Sequence, residues 1–319
     1  MTIGAAVPAS RSSFSPGDAG LLALLALMWG NSFLFIKFAV ATIPPAWIVA
    51  GRLTVGGSLL VVIALVRRRS LPRAPRDVAT LAVIGLAGAA LPWAGQAWAQ
   101  QFLDSGLLAV LNATTPGATL VIAVAVGQER LHRLRVLGLL VAAVGSVVIV
   151  GGEISQGGPV AALVVAAVAP FAYGIGTVLT RARVSGRIDP LPAAAVQLST
   201  AAVVATGLSV GFVGPPPPPL SLDPVAAGSL VALGVVGTGL AFLLYFTLIQ
   251  RVGATNASMV TYLVPVVGLV AGAVVRGERF GPNVLLGAAI LVVGVWLAQR
   301  RPPDVDGGRP PTARTIPPS

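Results

Sequence analysis

Ten stretches of mostly apolar residues, each close to the length that carries an α-helix across a bilayer, leave this chain few folds to choose from. A hydrocarbon core about 30 Å thick takes roughly 20 residues of helix at 1.5 Å each. Such stretches run over about 19–41, 45–66, 77–99, 104–126, 134–152, 158–181, 190–213, 224–249, 254–275 and 282–299. Turn or charge signals separate them: Pro44-Pro45, Arg67 to Asp77, Gln100 to Asp104, Gln128 to Arg135, Gly151 to Gly158, Arg181 to Asp189, five prolines from Pro215 to Pro219, Gln250 to Gly253, and Arg276 to Pro282. Loops this short leave no room for a soluble catalytic domain. Composition agrees, with 55% apolar and 10% charged residues and a mean hydropathy of +0.90, where a soluble domain carries about a quarter charged. The expected fold is therefore an all-α polytopic membrane protein of ten transmembrane helices. Residues 1–18 and 300–319 are rich in Ser, Gly, Pro and isolated charges, cannot bury a core, and are read as disordered cytoplasmic tails.

The net charge of +11 comes from 20 Arg and one Lys against 10 acids. With the N-terminus in the cytoplasm, 17 of the 21 cations fall on inner segments, and Arg276 and Arg279 alone fall outside. Lys37 and Arg52 lie within helices. This is the positive-inside pattern, so the charge is an orientation signal with affinity for inner-leaflet lipid, and no nucleic-acid role follows. Both termini are expected in the cytoplasm and the chain in a plasma membrane. Ala39-Val40-Ala41 resembles a signal-peptide cleavage site, but the preceding apolar run is too long, and retention in the membrane is favoured.

The chain also matches itself. At an offset of 149 residues Gly85 falls on Gly234, Gly88 on Gly237, Gln101 on Gln250, Pro116 on Pro265, Glu129 on Glu278, Gly138 on Gly287 and Gly145 on Gly294. At 144 or 145, Trp29-Gly30 falls on Tyr173-Gly174, Lys37 on Arg181, Pro45 on Pro190 and Arg52 on Gln197. Two five-helix repeats, 19–152 and 153–299, are expected. Because five is odd, the second enters the membrane inverted relative to the first, as in many secondary transporters.

Trp29-Gly30-Asn31-Ser32 with Lys37 in the first helix, Arg52 in the second, and the twice-used Pro116 or Pro265 helix ending in Gly127-Gln128-Glu129-Arg130-Leu131 or Gly277-Glu278-Arg279-Phe280 resemble the EamA family of the drug/metabolite transporter superfamily. The resemblance covers about residues 19 to 299. It implies ten helices, cytoplasmic termini and transport of small organic solutes, often efflux of amino acids or other metabolites. Small multidrug transporters of the same superfamily rely on an acid inside the first helix, and none stands between residues 19 and 41 here.

In an inverted-repeat carrier the solute site lies near the midplane between the halves. Polar and aromatic groups at that depth are the candidates: Trp29, Asn31, Trp93, Gln96, Asn112, Thr115, Tyr173, Thr177, Thr238, Tyr245, Thr261 and Tyr262. Each alone is more often a packing contact. Pro116 and Pro265 are candidate hinges, with a fixed kink as the plain alternative. Lys37 and Arg52 have three competing roles: Lys37 snorkels to the headgroups, Arg52 bonds carbonyls near the end of helix one, or the two attract an anionic group of the solute. Gly268 and Gly272 form a small-residue pair that admits a homodimer or close packing within the bundle.

Without cysteine there is no thiolate metal site, and His132 alone makes no metal cluster, so no cofactor is expected. No acid stands at the midplane, which leaves uniport and proton exchange both open; Glu129 and Glu278 are expected to pair with nearby arginines. The reading is a secondary transporter exporting a small-molecule solute by alternating access. A polytopic membrane enzyme or scaffold is the alternative.

Overall fold

The computed structural model describes residues 15–129, 132–218 and 221–299, without the side chains of residues 254, 255 and 299. The described residues are helical and contain no strand. Eight helical stretches are long and apolar enough to cross a membrane: α1 Pro16–Ala39, α2 Pro45–Val66, α3 Pro75–Ala99, α4 Ser105–Ala125, α5 Arg133–Ser155, α6 Val160–Arg183, α7 Pro190–Val213 and α8 Pro224–Gly253. Two shorter apolar helices follow, α9 Val260–Arg276 and α10 Pro282–Ala298. Phe212 (86% exposed) and Val274 (78%) stand on the outer surface beside many other bare aliphatic side chains. Water would not tolerate so continuous an apolar coat, and lipid requires it. The chain is an integral membrane protein.

Local chemistry sets the helix ends. Proline opens α1, α2, α3, α7, α8 and α10, where its missing N–H would have had no partner in any case. The expected tail to residue 18 is shortened at α1. Ser15 Oγ accepts from the Asp18 N–H at 3.2 Å while the Ser15 N–H donates to Asp18 Oδ2 at 3.2 Å, a capping box that starts the helix at Pro16. Gly253 ends α8 at φ 81°, a conformation that only glycine adopts without strain.

Three spans are not plain α-helix. α3 contains a π turn at Leu86–Ala90 and α8 another at Val235–Leu240. Their first residues are 149 apart, the offset that joins Gly85 to Gly234. α4 breaks at Ala113 and Thr114 into Ser105–Asn112 and Thr115–Ala125. Thr114 Oγ1 donates to the Leu111 carbonyl at 2.8 Å and Thr115 Oγ1 to that of Asn112 at 2.7 Å, so hydroxyls serve carbonyls released at the break. Pro116 thus opens a helical segment, whereas Pro265 stands inside α9, so the two matched prolines occupy different places in their helices.

The helices touch through small residues. A methyl on Gly138 of α5 would fall on the backbone of Gly294 and Ala298 of α10, and one on Gly145 on the backbone of Gly287 and Leu291. The order reverses along the two helices, so α5 and α10 run antiparallel with backbones in contact. At another crossing, Gly268 of α9 faces Ala109 of α4, and Gly106 faces Leu269 and Phe280. Two large buried clusters form most of the core, and a small third one joins Leu81, Ile84, Val184 and Ala193. Of the large two, one gathers Leu25, Leu108, Leu111, Ile149, Leu163, Leu248 and Leu291, the other Ile36, Leu53, Leu60, Trp93, Leu198 and Leu233.

Candidate functional site

Arg52, on α2, is 6% exposed and reaches across to α8. Its Nε donates to Thr238 Oγ1 at 2.9 Å and its Nη2 to the Gly237 carbonyl at 3.3 Å. Both acceptors belong to the π turn, where the widened ladder lets Thr238 Oγ1 donate to the Leu233 carbonyl five residues back. Gly56, against Thr238 and the Gly234 carbonyl, lets α2 come close enough for this. The Arg52 Cζ also sits 3.8 Å from the Trp93 ring centroid, a cation–π stack. Arg52 therefore does not bond the end of α1, as one sequence reading had it.

Trp93 and Gln96 lie three residues apart on one face of α3, and Gln96 extends the constellation. Its Nε2 donates to Asn112 Oδ1 at 2.8 Å, and the Tyr173 hydroxyl donates to its Oε1 at 3.2 Å. Asn112 is the last residue before the break in α4, and Tyr173 comes from α6. Arg52, Trp93, Gln96 and Thr238, all buried, with the half-buried Asn112 and Tyr173 thus form one polar network built from α2, α3, α4, α6 and α8. Where α1 meets α8, Trp29 and Tyr245 approach to 5.2 Å between ring centroids, and Tyr245 continues to Phe246 at 6.4 Å.

Other sequence candidates stay apart. Asn31 Nδ2 donates to the Leu27 carbonyl of its own helix. Thr177 is exposed and bonds the Tyr173 carbonyl, and Thr261 bonds that of Ser258. The Tyr262 hydroxyl points to the Val295 carbonyl of α10 at 3.5 Å. Lys37 Nζ, for which snorkelling to the headgroups was one of the competing roles, donates to the carbonyls of Gln100 and Leu103 at 2.9 and 2.7 Å, tying α1 to the α3–α4 turn.

Each end of the molecule carries a glutamate from the repeated motif. Glu278 accepts from the N–H and Oγ of Ser105 and from the N–H of Gly106, capping α4; Arg276 stands 3.8 Å away. Asp104, next to this cap, has its carboxyl pushed up by burial and by Glu278, while Lys37 and Arg276 pull the other way. Glu129 meets Arg135 at 3.0 Å and Arg181 at 2.7 Å, and these bonds hold its carboxyl below the ordinary glutamate range. Its sequence neighbour Arg130 lies outside the described residues. Ser105 and the Gly237 carbonyl were missed as site elements. The match of Gly237 to Gly88 was the one visible trace of the second.

Two ranges of the chain, 19–151 and 160–299, each match the EamA-like transporter family. The chain belongs to this family. Among similar proteins, the "Uncharacterized transporter YoaV" of Bacillus subtilis is 28% identical over 85% of this chain and 92% of its own length. The "Probable terminal-alkyne amino-acid exporter" of Streptantibioticus cattleyicolor is 28% identical, covering 88% and 92%. The "Uncharacterized inner membrane transporter YedA" of Escherichia coli is 27% identical, covering 87% and 89%. A crystal structure described only as that of a protein superposes with a TM-score of 0.62 at 20% identity, over 88% of this chain and 96% of that one. That likeness concerns the fold alone.

Proposed function

We propose that this EamA-family chain is a secondary transporter of the plasma membrane that exports a small organic metabolite, amino-acid-like or drug-like, by alternating access. The observation that carries the reading is the polar network from Arg52 to Asn112. Five spans from both halves of the sequence converge on it, which suits a central site that each half uncovers in turn. Trp29 and Tyr245, tilted by 52° to one another, give an aromatic surface for an organic body, and the amide and hydroxyl groups give polar anchors.

The proposed architecture is ten crossings in two inverted repeats, 19–152 and 153–299, with both termini cytoplasmic. The antiparallel contact of α5 with α10 supports it: Gly138 meets Gly294 and Gly145 meets Gly287, the reciprocal pattern that a two-fold axis produces. The equal spacing of the π turns supports it too.

Proteoliposomes holding the purified chain test the function. Saturable counterflow of at least one solute from a metabolite and drug panel is expected. Absence of flux for every solute would remove the carrier reading, and a chemically altered solute would favour a membrane enzyme.

A further inference from the structure

A guanidinium has five N–H donors, and Arg52 uses two of them. Its Nη1 makes no hydrogen bond, and the side chain forms no ion pair with any acid among the described residues. A full positive charge is held 94% buried inside an apolar bundle with no carboxylate beside it and two of its five donors bonded. The Trp93 face and two neutral oxygens offset only part of such a cost.

Gln197 occupies the place that the 145-residue offset assigns to Arg52, so the matching position of the second half carries no charge; the backbone carbonyl of Gln197 lies against Gly85, at the start of the first π turn.

We propose that Arg52 is the anchor for a carboxylate of the transported solute, with the planar fork of Nη1 and Nη2 receiving its two oxygens while Trp93 and Thr238 hold the guanidinium in place. A carboxylate meets the one N–H of Nη1 and the one N–H of Nη2 that share the open edge of the fork, which a single neutral oxygen does not. Tyr173 and Gln96, next along the network, are placed to receive a further polar group of the same solute, and Trp29 and Tyr245 its apolar part. The substrate class is a small carboxylic acid or zwitterion bearing an apolar body. This assignment rests on the carrier reading and narrows it.

The test uses the full chain in lipid nanodiscs and proteoliposomes with matched pairs: L-leucine against L-leucinamide, L-phenylalanine against L-phenylalaninamide, and hexanoate against hexanamide. Affinities come from titration calorimetry and flux from counterflow. For at least one pair the carboxylate is expected to bind about tenfold or more tightly than its amide, and in Arg52→Gln the ratio falls toward one while the amide's own affinity changes little. Arg52→Lys, which keeps the charge and loses the fork, gives an intermediate ratio. An unchanged ratio in Arg52→Gln overturns the assignment. So does a wild-type protein without carboxylate preference in any pair, a result that needs no variant to fold. Saturable flux of a neutral solute without such preference would overturn the anchor and leave the carrier standing, whereas no flux at all would remove the carrier itself.

Discussion

Glu278 caps a helix that begins 173 residues earlier in the chain: its Oε1 accepts from the Ser105 N–H at 3.0 Å and from Ser105 Oγ at 2.8 Å. Together with the Gly268 to Ala109 crossing, this clamps the C-terminal end of α9 to the start of α4. Glu278→Ala leaves two backbone donors at that helix start without their acceptor, at a cost of about 1–3 kcal/mol. A thiol placed at Ser105 reads the consequence cleanly because the chain has no cysteine. Ser105→Cys is expected to react slowly with a membrane-impermeant maleimide in the native background and several-fold faster with Glu278→Ala. Equal rates would show that the cap does not keep this end shut.

The α5–α10 contact leaves no room for a side chain at its matched glycines. Gly145→Ala and Gly294→Ala each press a methyl onto backbone and are expected to lower stability by about 1–3 kcal/mol. Gly207, on an exposed face of α7 with nothing near its missing Cβ, provides the contrast: Gly207→Ala should shift stability by less than about 0.5 kcal/mol. Thermal unfolding in detergent separates the two outcomes. Similar midpoints for all three would mean that the close approach is not rigid.

Orientation is open to reporter fusions. With the arginine-rich segment 67–76 in the cytoplasm, a phosphatase fused there should be inactive, and one fused within the segment 153–158 should be active. The reverse pattern would invert the proposed topology.

Glu129 supplies a pH signature. Its carboxyl lies below the ordinary value of 4.5 because Arg135 and Arg181 bond the ionised form. The unfolded chain therefore takes up the proton first as pH falls. The contribution of Glu129 is full above the ordinary glutamate value and is lost as pH drops through the lower, folded one. The difference in unfolding midpoint between wild type and Glu129→Gln should thus shrink as the medium is taken into that acid range. Asp104, raised by its surroundings, acts in the opposite sense in both proteins and cancels in the comparison. A difference that stays constant would separate the stability of this end from the ion pairs.

Lipid made much of the fold legible. The bilayer fixes how long a span is, and prolines such as Pro45 and Pro190 mark where helices start, so expected and observed starts coincide there. The π turns were not legible, since Leu86–Ala90 and Val235–Leu240 read like any other apolar, glycine-bearing helix. The site was half legible. Trp93, Gln96, Asn112, Tyr173 and Thr238 stood out by polarity at depth, and the structure brings them to Arg52. Sequence alone could not tell Thr177, which faces outward, from Tyr173 one turn before it, because α6 is apolar on both faces. The partner of Arg52 lies 186 residues away and depends on the local widening of α8, a backbone event with no side-chain signature.

That widening also fixes how α8 can be counted. A π turn holds one residue more than the α ladder needs, and each residue of an α-helix advances the face by about 100°. The parts of α8 before and after Val235–Leu240 are therefore out of phase, and the stripe that faces neighbours in the first part is not continued in the second. Removing a single residue there would give a more regular helix and a worse protein: Leu233 and Tyr245 could no longer both face inward. Within this span length is a rotational variable, and a one-residue deletion in the turn should be tolerated less well than several conservative substitutions along the same helix.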